Sequence, residues 1–231
     1  FPSPKIQLKV AENTPDEILD LALNMIRRSH SSLVFVGEPG IIRAMKQLGY
    51  TSEEARTFDV TGCYEYAVRG DENVTQSIYC NIPKAVELTL NNGIDPITKR
   101  PCGVTHDGLE KMQTFSDFYD AFLRQITWQI EEMIACNLLV EKTYSDFNPA
   151  LLLSGTFATS MQKGLNAYTL GCKYNTTMLL ACGLGSAVDS LMAVNELVYK
   201  QKLVTLPQLR DILLADCIVP VREWNGGYLA A

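Results

Sequence analysis

Short strand patterns alternate with helical patterns along this sequence, and that alternation constrains the fold more than any other feature. Residues 5–10 alternate polar and apolar side chains, which predicts a half-buried strand. Residues 14–17, Thr-Pro-Asp-Glu, have the spacing of a capping box with Thr14 as the N-cap, so a helix is predicted to begin there. Residues 33–36 form a short apolar run, which is typical of a buried strand. Strands that alternate with helices predict a fold of the α/β class.

The remaining patterns are mostly helical, with one further extended segment and two loops. Residues 58–65 are rich in residues that favour strands, and Gly62 marks a predicted bend. Residues 66–77 are predicted as a polar loop and residues 94–113 as a surface loop. The predicted helices are residues 41–48, a short helix that opens at Thr51, and residues 82–91, 114–142, 150–163, 186–201 and 205–216. No linker rich in Gly, Ser or Pro divides the sequence, so residues 1–231 are predicted to form a single folded unit.

The composition excludes several classes of protein. The chain of 231 residues is 47% hydrophobic and 20% charged, with a net charge of −6, and this excludes intrinsic disorder. No run of Lys and Arg exceeds the pair Arg27-Arg28. A nucleic-acid partner and an anionic membrane surface are therefore not expected, because both need clustered positive charge. The longest uncharged stretch, residues 147–162, is shorter than a membrane span.

The seven cysteines are scattered along the chain. None of them shows the C-x2-C or C-x4-C spacing that zinc sites and small disulfide frameworks use. The first four residues, Phe-Pro-Ser-Pro, have neither the basic nor the apolar region of a signal peptide. We therefore expect a reduced, cytoplasmic chain that binds no metal ion.

The segment Gly-Cys-Tyr-Glu at residues 62–65 is the strongest candidate for a chemical site. In an extended segment, Cys63 and Glu65 project to the same side. A carboxylate next to a thiol disfavours the thiolate, so this pair suits the transfer of a hydrogen atom or a proton better than attack by a thiolate. The competing interpretation makes Cys63 a small buried residue and Glu65 a surface acid.

A Cys–His hydrolase is a second enzyme hypothesis. The sequence offers only His30, near a predicted helix end, and His106, in the predicted surface loop. A site built from Cys63 and His106 would be sensitive to alkylation and active in air, whereas a structural role for His106 is the simpler interpretation. The Gly-Leu-Gly-Ser segment at residues 183–186 lacks the full dinucleotide or P-loop pattern, so a tight turn before a helix is predicted there.

Five segments of the sequence occur in a characteristic order. Residues 62–65, Gly-Cys-Tyr-Glu, resemble the G-C-x-E segment on the cysteine finger loop of the glycyl radical enzymes. The other four segments are residues 49–56, similar to G-x-s-x-E-D-A-R; residues 81–93, similar to N-L-x-K-x-L-E-L-x-L-N-x-G; residues 171–175, similar to G-A-x-Y-N; and residues 183–194, similar to G-x-G-x-A-x-D-S-L-x-A-I. The resemblance runs in order from Phe1 to about Cys217.

This resemblance implies catalytic roles for Cys63 and Glu65. In such enzymes a glycyl radical oxidises the cysteine to a thiyl radical, which removes a hydrogen atom from a substrate carbon. Glu65 matches the general base of the eliminating and decarboxylating branches. Tyr64 stands where the pyruvate formate-lyase branch has a second cysteine, so acyl transfer is not expected. The implied activity is that of a lyase, which cleaves a C–O or C–N bond by a dehydration-type elimination or decarboxylates a small substrate.

Departures from the family pattern affect the expected substrate pocket. Tyr66 replaces the usual proline, and the loop before Asn81 is shorter than in the diol dehydratases. Thr75, Gln76 and Ser77 lie where substrate-contacting residues are expected. The pocket is therefore expected to differ, and a diol, an amino alcohol, a hydroxyproline-type compound and an arylacetate all stay open as substrates.

The motif that carries the radical glycine, R-V-x-G-Y/F, has no match in this sequence. Residues 224–228 contain a glycine before an aromatic residue, but without the R-V context. The resemblance implies that the glycyl radical domain lies outside this chain. It also implies a ten-stranded α/β barrel, of which this helix-rich chain supplies about the second half, with the finger loop near residues 59–70. Since the chain also lacks an initiator methionine, we expect it to be part of a longer polypeptide and inactive alone.

The implied partners follow from the same resemblance. They are a small-molecule substrate, the remaining part of the enzyme polypeptide, and an activating enzyme that uses S-adenosylmethionine and a 4Fe–4S cluster. The complete enzyme is expected to be a homo-oligomer in the cytoplasm or in a bacterial microcompartment. The competing interpretation is a truncated, non-catalytic paralogue that serves as a scaffold. The missing glycine motif favours that interpretation, and the intact pair of Cys63 and Glu65 opposes it.

Overall fold

The alternation of strands and helices is confirmed. The computed structural model describes residues 5–30, 32–62 and 65–216. The strands are β1 Ile6–Val10, β2 Leu33–Gly37, β3 Phe58–Thr61, β4 Glu65–Val68, β5 Glu72–Asn81 and β6 Tyr174–Cys182. The helices are α1 Asp16–Arg27, α2 Glu38–Gln47, α3 Ser52–Arg56, α4 Ile82–Leu90, α5 Phe115–Phe147, α6 Leu151–Ser154, α7 Ala158–Lys163, α8 Leu184–Val194 and α9 Leu206–Leu214.

The described strands form three pairs. β1 and β2 are parallel, with Ile6 opposite Leu33 and Val10 opposite Gly37. Helix α1 connects them, as a parallel pair requires a crossover connection. β3 and β4 form an antiparallel hairpin, and β5 pairs with β6.

The chain divides into two compact units. The first comprises residues 1–76 together with Glu141–Met178, and the second comprises Ser77–Val140 together with residues 179–231. Each unit has its own hydrophobic cluster. The expectation that residues 1–231 fold as a single unit stays a prediction.

The core of the first unit lies where α2 and α3 meet strands β2, β3 and β4. Met45, Ala55 and Phe58 are completely buried there. The buried members of this cluster are Val34, Val36, Met45, Ala55, Phe58 and Val68. Because Phe58 and Val68 are paired at the base of the β3–β4 hairpin, the hairpin is anchored in this core.

The core of the second unit joins α4, α5, α8 and α9. Phe118 of α5 and Ala85 of α4 are completely buried, and Ala187 of α8 is 1% exposed. Gly183, just before α8, has a φ of +75° and lies against Pro83 of α4, because a Cβ at Gly183 would come within 2.7 Å of that ring. The predicted tight turn before a helix is therefore observed, and its glycine allows the close approach of the two helices.

Several sequence-based predictions need correction. Residues 66–77, predicted as a polar loop, contain most of β4 and the first part of β5. They form strands because the polar side chains of Glu72 and Asn73 are buried and hydrogen-bonded, which no local pattern reveals. Residues 150–163 form two short helices rather than one. Thr14 does not cap α1, since its Oγ1 accepts a hydrogen bond from the amide of Ala11 instead.

Candidate functional site

The β3–β4 hairpin carries the segment that the sequence singles out. Its pairing runs from Phe58 opposite Val68 at the base to Thr61 opposite Glu65 at the tip. Gly62 follows β3 with a φ of +64°, a conformation that favours glycine. The side chain of Gln7 on β1 donates a hydrogen bond to the carbonyl of Gly62 at 3.2 Å. The bend at Gly62 is therefore as predicted, and the segment predicted as extended contributes β3 and the first residue of β4, while Cys63 and Tyr64 lie outside the described residues.

Glu65 is the first residue of β4, and its side chain is half-buried. Its carboxylate lies directly over Gly62, because a Cβ at Gly62 would be only 2.7 Å from Glu65 Oε2. The carboxyl group is thus held beside the residue that immediately precedes Cys63.

The other predicted site residues, or their side chains, lie outside the part of the chain that the structure describes. Cys63 and Tyr64 lie outside the described residues. Thr75, Gln76 and Ser77 lie in β5, and their side chains are outside the described part of the structure. Their proposed roles therefore remain predictions.

Asp59 of β3 ties the hairpin to its neighbours by charge. Its carboxylate accepts hydrogen bonds from Lys9 Nζ of β1 at 3.0 Å and from Arg69 Nε at 2.7 Å. Although partial burial raises the pKa of Asp59, the bonds from Lys9 and Arg69 outweigh that effect and hold the pKa below its ordinary value. The charged form of Asp59 is thereby favoured, and its ion pair with Lys9 joins the hairpin to β1.

Glu72, at the start of β5, fixes the base of the same hairpin. It is 6% exposed and accepts three hydrogen bonds. Its donors are the amide of Val68 at 2.7 Å, the hydroxyl of Tyr50 at 2.7 Å, and the hydroxyl of Thr176 on β6. The sequence reasoning missed this residue, because Tyr50 lies 22 residues before it and Thr176 lies 104 residues after it.

Glu54 of α3 joins two of the segments that the sequence marks out. It forms an ion pair with Lys173 and accepts a hydrogen bond from the Tyr174 hydroxyl at 3.0 Å. It also completes a capping box with Thr51. The bonds from Lys173 and Thr51 lower the pKa of Glu54 to about 2, so this carboxylate is charged at any physiological pH.

His106 occupies a structural position in the loop after α4. Its Nε2 lies 2.8 Å from the carbonyl of Thr89, and its Nδ1 accepts a hydrogen bond from the amide of Gly108 at 3.1 Å. Its own amide donates to the side chain of Asn92 at 2.6 Å. Both ring nitrogens are thus occupied by the main chain, which favours the structural interpretation, while a pairing with Cys63 stays untested.

Neither a metal-binding group nor a membrane-spanning helix occurs in the described residues. Within them, no three of His, Cys, Asp and Glu come together in a group that could hold a metal ion. In the same residues, no helix has the length and apolar character needed to cross a bilayer. Cys80, Cys102, Cys136, Cys172 and Cys182 are free thiols.

Comparisons with known proteins agree with the motifs. The family model described as pyruvate formate lyase-like matches residues 1–218. The chain is 30% identical over 213 residues to the trans-4-hydroxy-L-proline dehydratase of Clostridioides difficile. This match covers 92% of this chain and 27% of the relative. It is 25% identical over 201 residues to the (2S)-3-sulfopropanediol dehydratase of Klebsiella oxytoca, covering 87% of this chain and 24% of that protein.

A solved structure shows the same fold. The glycerol-bound form of the B12-independent glycerol dehydratase from Clostridium butyricum matches 93% of this chain with a TM-score of 0.82 and 26% identity. The match covers 27% of that chain, so this chain spans about a quarter of the length of the proteins it resembles. The observed α/β fold therefore corresponds to a portion of a larger barrel.

Proposed function

Because the chain belongs to the pyruvate formate lyase-like family of glycyl radical enzymes, we propose that it carries the catalytic cysteine of a glycyl radical lyase. Its relatives include dehydratases and decarboxylases, so the lyase class is common to them. The finer proposal is that Cys63 abstracts a hydrogen atom from the substrate and that Glu65 acts as the base. It is carried by one observation, the position of the Glu65 carboxylate over Gly62, next in sequence to Cys63.

The proposed reaction begins and ends at the sulfur of Cys63. The thiol loses its hydrogen atom to a glycyl radical on the remaining polypeptide, which supplies the one-electron oxidation that the step needs. The resulting thiyl radical takes a hydrogen atom from a substrate carbon, which leaves a carbon radical and an S–H bond. At the end the product radical takes that hydrogen atom back, so the enzyme undergoes no net oxidation.

Glu65 acts between these two hydrogen transfers. It accepts the proton of the hydroxyl or amino group on the carbon that now carries the radical. The extra electron density at this carbon then expels the leaving group, with its bonding electrons, from the neighbouring carbon. In a dehydration the leaving hydroxide takes up a proton, which in the net balance is the one that Glu65 accepted, and departs as water. In a decarboxylation the thiyl radical would instead take the hydrogen atom of the carboxyl group. Loss of carbon dioxide would then leave a carbon radical, which takes that hydrogen atom back from Cys63.

The partners proposed for this activity lie outside the chain. They are the remaining part of the enzyme, an activating enzyme that uses S-adenosylmethionine and a 4Fe–4S cluster, and further copies in a homo-oligomer. The proposed location is the cytoplasm or a bacterial microcompartment. The substrate is proposed to be a small hydroxylated compound or an arylacetate, with Thr75, Gln76 and Ser77 among its contacts.

The test uses the complete enzyme, activated under anaerobic conditions. Replacing Cys63 with Ala is expected to abolish turnover, because no other group in the proposed mechanism accepts the hydrogen atom. The matched control is Cys136→Ala, an exposed free thiol on α5, which is expected to keep full turnover. Turnover by the Cys63→Ala enzyme would contradict the proposal and favour a non-catalytic role for this chain.

A second substitution tests the base. Glu65→Gln is expected to lower turnover while leaving hydrogen exchange at the substrate carbon detectable, because the thiyl step does not need the carboxylate. Such removal of a general base costs about 100-fold to 10,000-fold in rate. Glu132→Gln, an exposed carboxylate on α5, is the control. A normal rate for Glu65→Gln would rule out its role as base.

A further inference from the structure

Among the described residues, Glu72 is the most deeply buried carboxylate near the β3–β4 hairpin. It is 6% exposed, and a charge at such a depth is costly unless hydrogen bonds replace water. Its three partners are the amide of Val68, which can only donate, and the hydroxyls of Tyr50 and Thr176. Hydrogen bonds to an ionised group are roughly twice as strong as neutral ones. The bonds from Val68, Tyr50 and Thr176 therefore hold this part of the first unit firmly.

The donors come from three separate elements. Val68 ends β4, Tyr50 lies in the connection between α2 and α3, and Thr176 lies on β6. The ring of Tyr50 also packs on the ring of Tyr174, with centroids 4.3 Å apart. Burial is the main cause that raises the pKa of Tyr50 to about 12; its bond to Thr176 lowers that value and its bond to Glu72 raises it. Tyr50 thus stays protonated and remains a donor.

The amide of Val68 is the contact that reaches the site. Val68 is the residue opposite Phe58 at the base of the hairpin, and Glu65 begins the same strand, opposite Thr61 at the tip. A change in the direction of β4 at its base is carried along the strand to its tip. A displacement of about 1 Å at a catalytic group costs about 100-fold in rate.

We propose that Glu72 is a positioning residue for Glu65: by binding the Val68 amide, it fixes β4 and so holds the Glu65 carboxylate over Gly62. The proposal rests on the proposed function for its catalytic consequence. Its structural half, the fixing of the hairpin base by a buried carboxylate, stands on the hydrogen bonds alone.

Two substitutions of Glu72 distinguish the loss of all three hydrogen bonds from the loss of the carboxylate alone. Glu72→Leu removes the acceptor for all three donors. Glu72→Gln keeps one acceptor oxygen, which can stay on the fixed Val68 amide while the hydroxyls of Tyr50 and Thr176 rotate to accept from the new amide group. The loss of function is therefore expected to be larger for Leu than for Gln. If Glu72→Leu does not fold, the comparison of Glu72→Gln with Tyr50→Phe replaces it.

A matched pair of tyrosines controls for the loss of a buried hydroxyl. Tyr50→Phe removes one bond to Glu72, and Tyr199→Phe removes a bond of 3.2 Å to the carbonyl of Met112 in the second unit. Burial raises the pKa of both tyrosines to about 12. Tyr50→Phe is expected to lower the turnover number by about 3-fold to 10-fold, as for the loss of one hydrogen bond, while Tyr199→Phe leaves it unchanged.

The experiment combines amide hydrogen exchange with a double-mutant cycle on the complete, activated enzyme. Glu72→Leu is expected to speed exchange at Val68 and to lower the turnover number by about 100-fold, with the glycyl radical content per subunit unchanged in its paramagnetic resonance spectrum. If Glu72 acts through Glu65, the variant with both Glu72→Leu and Glu65→Gln is no slower than Glu65→Gln alone.

Two results would overturn the proposal. Unchanged exchange at Val68 in Glu72→Leu would show that the carboxylate does not hold the hairpin, whatever the enzyme does. A double variant whose loss equals the product of the two single losses would show that Glu72 does not act through Glu65. Failure of the proposed function is recognised separately, because turnover would then survive Cys63→Ala while the exchange measurement still decides the role of Glu72.

Discussion

At the scale of single residues, the contact between Gly62 and the Glu65 carboxylate defines the candidate site. Gly62 provides both a left-handed turn and the space into which the Glu65 carboxylate folds. The two requirements can be separated, because Gly164 has the same φ of +64° but has no atom within 4 Å of the position of a Cβ. The turn explains why a glycine stands at either position, whereas only Gly62 makes room for a functional group.

Replacing Gly62 with Ala is therefore expected to lower activity beyond its effect on stability. Gly62→Ala and Gly164→Ala each cost about 1 kcal/mol through the left-handed backbone. Only Gly62→Ala also displaces the Glu65 carboxylate, so only this variant is expected to lose turnover in the activated enzyme, by about 10-fold or more. Steady-state rates and urea denaturation of both variants check this. Equal rates in the two variants would contradict the proposed placement of the base.

Glu54 makes stability depend on pH in the acid range. Its pKa is lowered from 4.5 to about 2, so the folded protein keeps this carboxylate charged where the unfolded chain would protonate it. Its contribution is complete above about pH 4.5 and is lost as the pH falls toward 2. Glu54→Gln is therefore expected to destabilise the protein most at neutral pH and least near pH 2. Denaturation curves across this range test it, with the exposed Glu53→Gln as the control.

At the scale of secondary-structure elements, close helix contacts depend on the glycines at their ends. α8 begins after Gly183, whose left-handed backbone lies against Pro83 of α4, while Gly185 inside α8 has no neighbour within 4 Å of a Cβ. Both glycines belong to one motif in the sequence, residues 183–194, but they meet different surroundings. The sequence motif alone therefore does not show that Gly183 is needed for close packing whereas the position of Gly185 has room for a side chain.

Replacing Gly183 or Gly185 with Ala is therefore expected to change the stability of the protein in opposite directions. Gly183→Ala combines about 1 kcal/mol of backbone strain with a clash against Pro83, and overpacking of this kind costs about 1 to 3 kcal/mol. Gly185→Ala is expected to stabilise the protein by about 0.4 to 1 kcal/mol, because alanine has fewer conformations than glycine to lose from the unfolded chain. Urea unfolding midpoints measure both effects. A stable Gly183→Ala variant would argue against the contact between α4 and α8.

At the scale of the whole molecule, two separate cores bring distant segments together. In the first unit, Glu54 meets Lys173, which lies 119 residues further along the chain. In the second unit, Pro83 meets Gly183. The segments that resemble the glycyl radical enzymes are thus partners in packing as well as landmarks in sequence.

Each core is expected to protect its own amides from hydrogen exchange. Phe58 in the first core and Phe118 in the second are both completely buried, and replacing such a side chain with Ala costs about 3 to 5 kcal/mol. Phe58→Ala is expected to speed exchange mainly in residues 33–68, and Phe118→Ala mainly in residues 82–126. Identical exchange profiles for the two variants would mean that the chain opens as one cooperative unit.

Local patterns were sufficient for several of the helix ends and for the hairpin bend. The helices predicted to begin at Thr51 and Thr205 are formed, each with a capping box at that threonine, because a cap needs only residues three positions apart. The bend at Gly62 is likewise a local matter of backbone conformation. The same holds for the left-handed end of α4, where Asn92 and Gly93 both have positive φ.

Polar strands could not be predicted in the same way. The first part of β5 contains Glu72 and Asn73, whose burial is possible only because Tyr50, Thr176 and the main chain near Ala167 supply hydrogen bonds from elsewhere in the chain. β6 was not predicted at all, although it pairs with β5. The stability of these strands comes from tertiary contacts, and a local alternation of polar and apolar residues does not reveal such contacts.

By itself, the sequence determined the α/β class, the family, and the two residues on which the proposed chemistry depends, Cys63 and Glu65. These follow from short-range order, since a motif or a cap is written within a few positions of the chain. Only the tertiary structure decided that the Glu65 carboxylate lies over Gly62 and that Glu72 holds the base of the hairpin. The physical reason is that both positions depend on groups far along the chain, Gln7 at the carbonyl of Gly62 and Tyr50 and Thr176 at Glu72, which come together only when the protein folds.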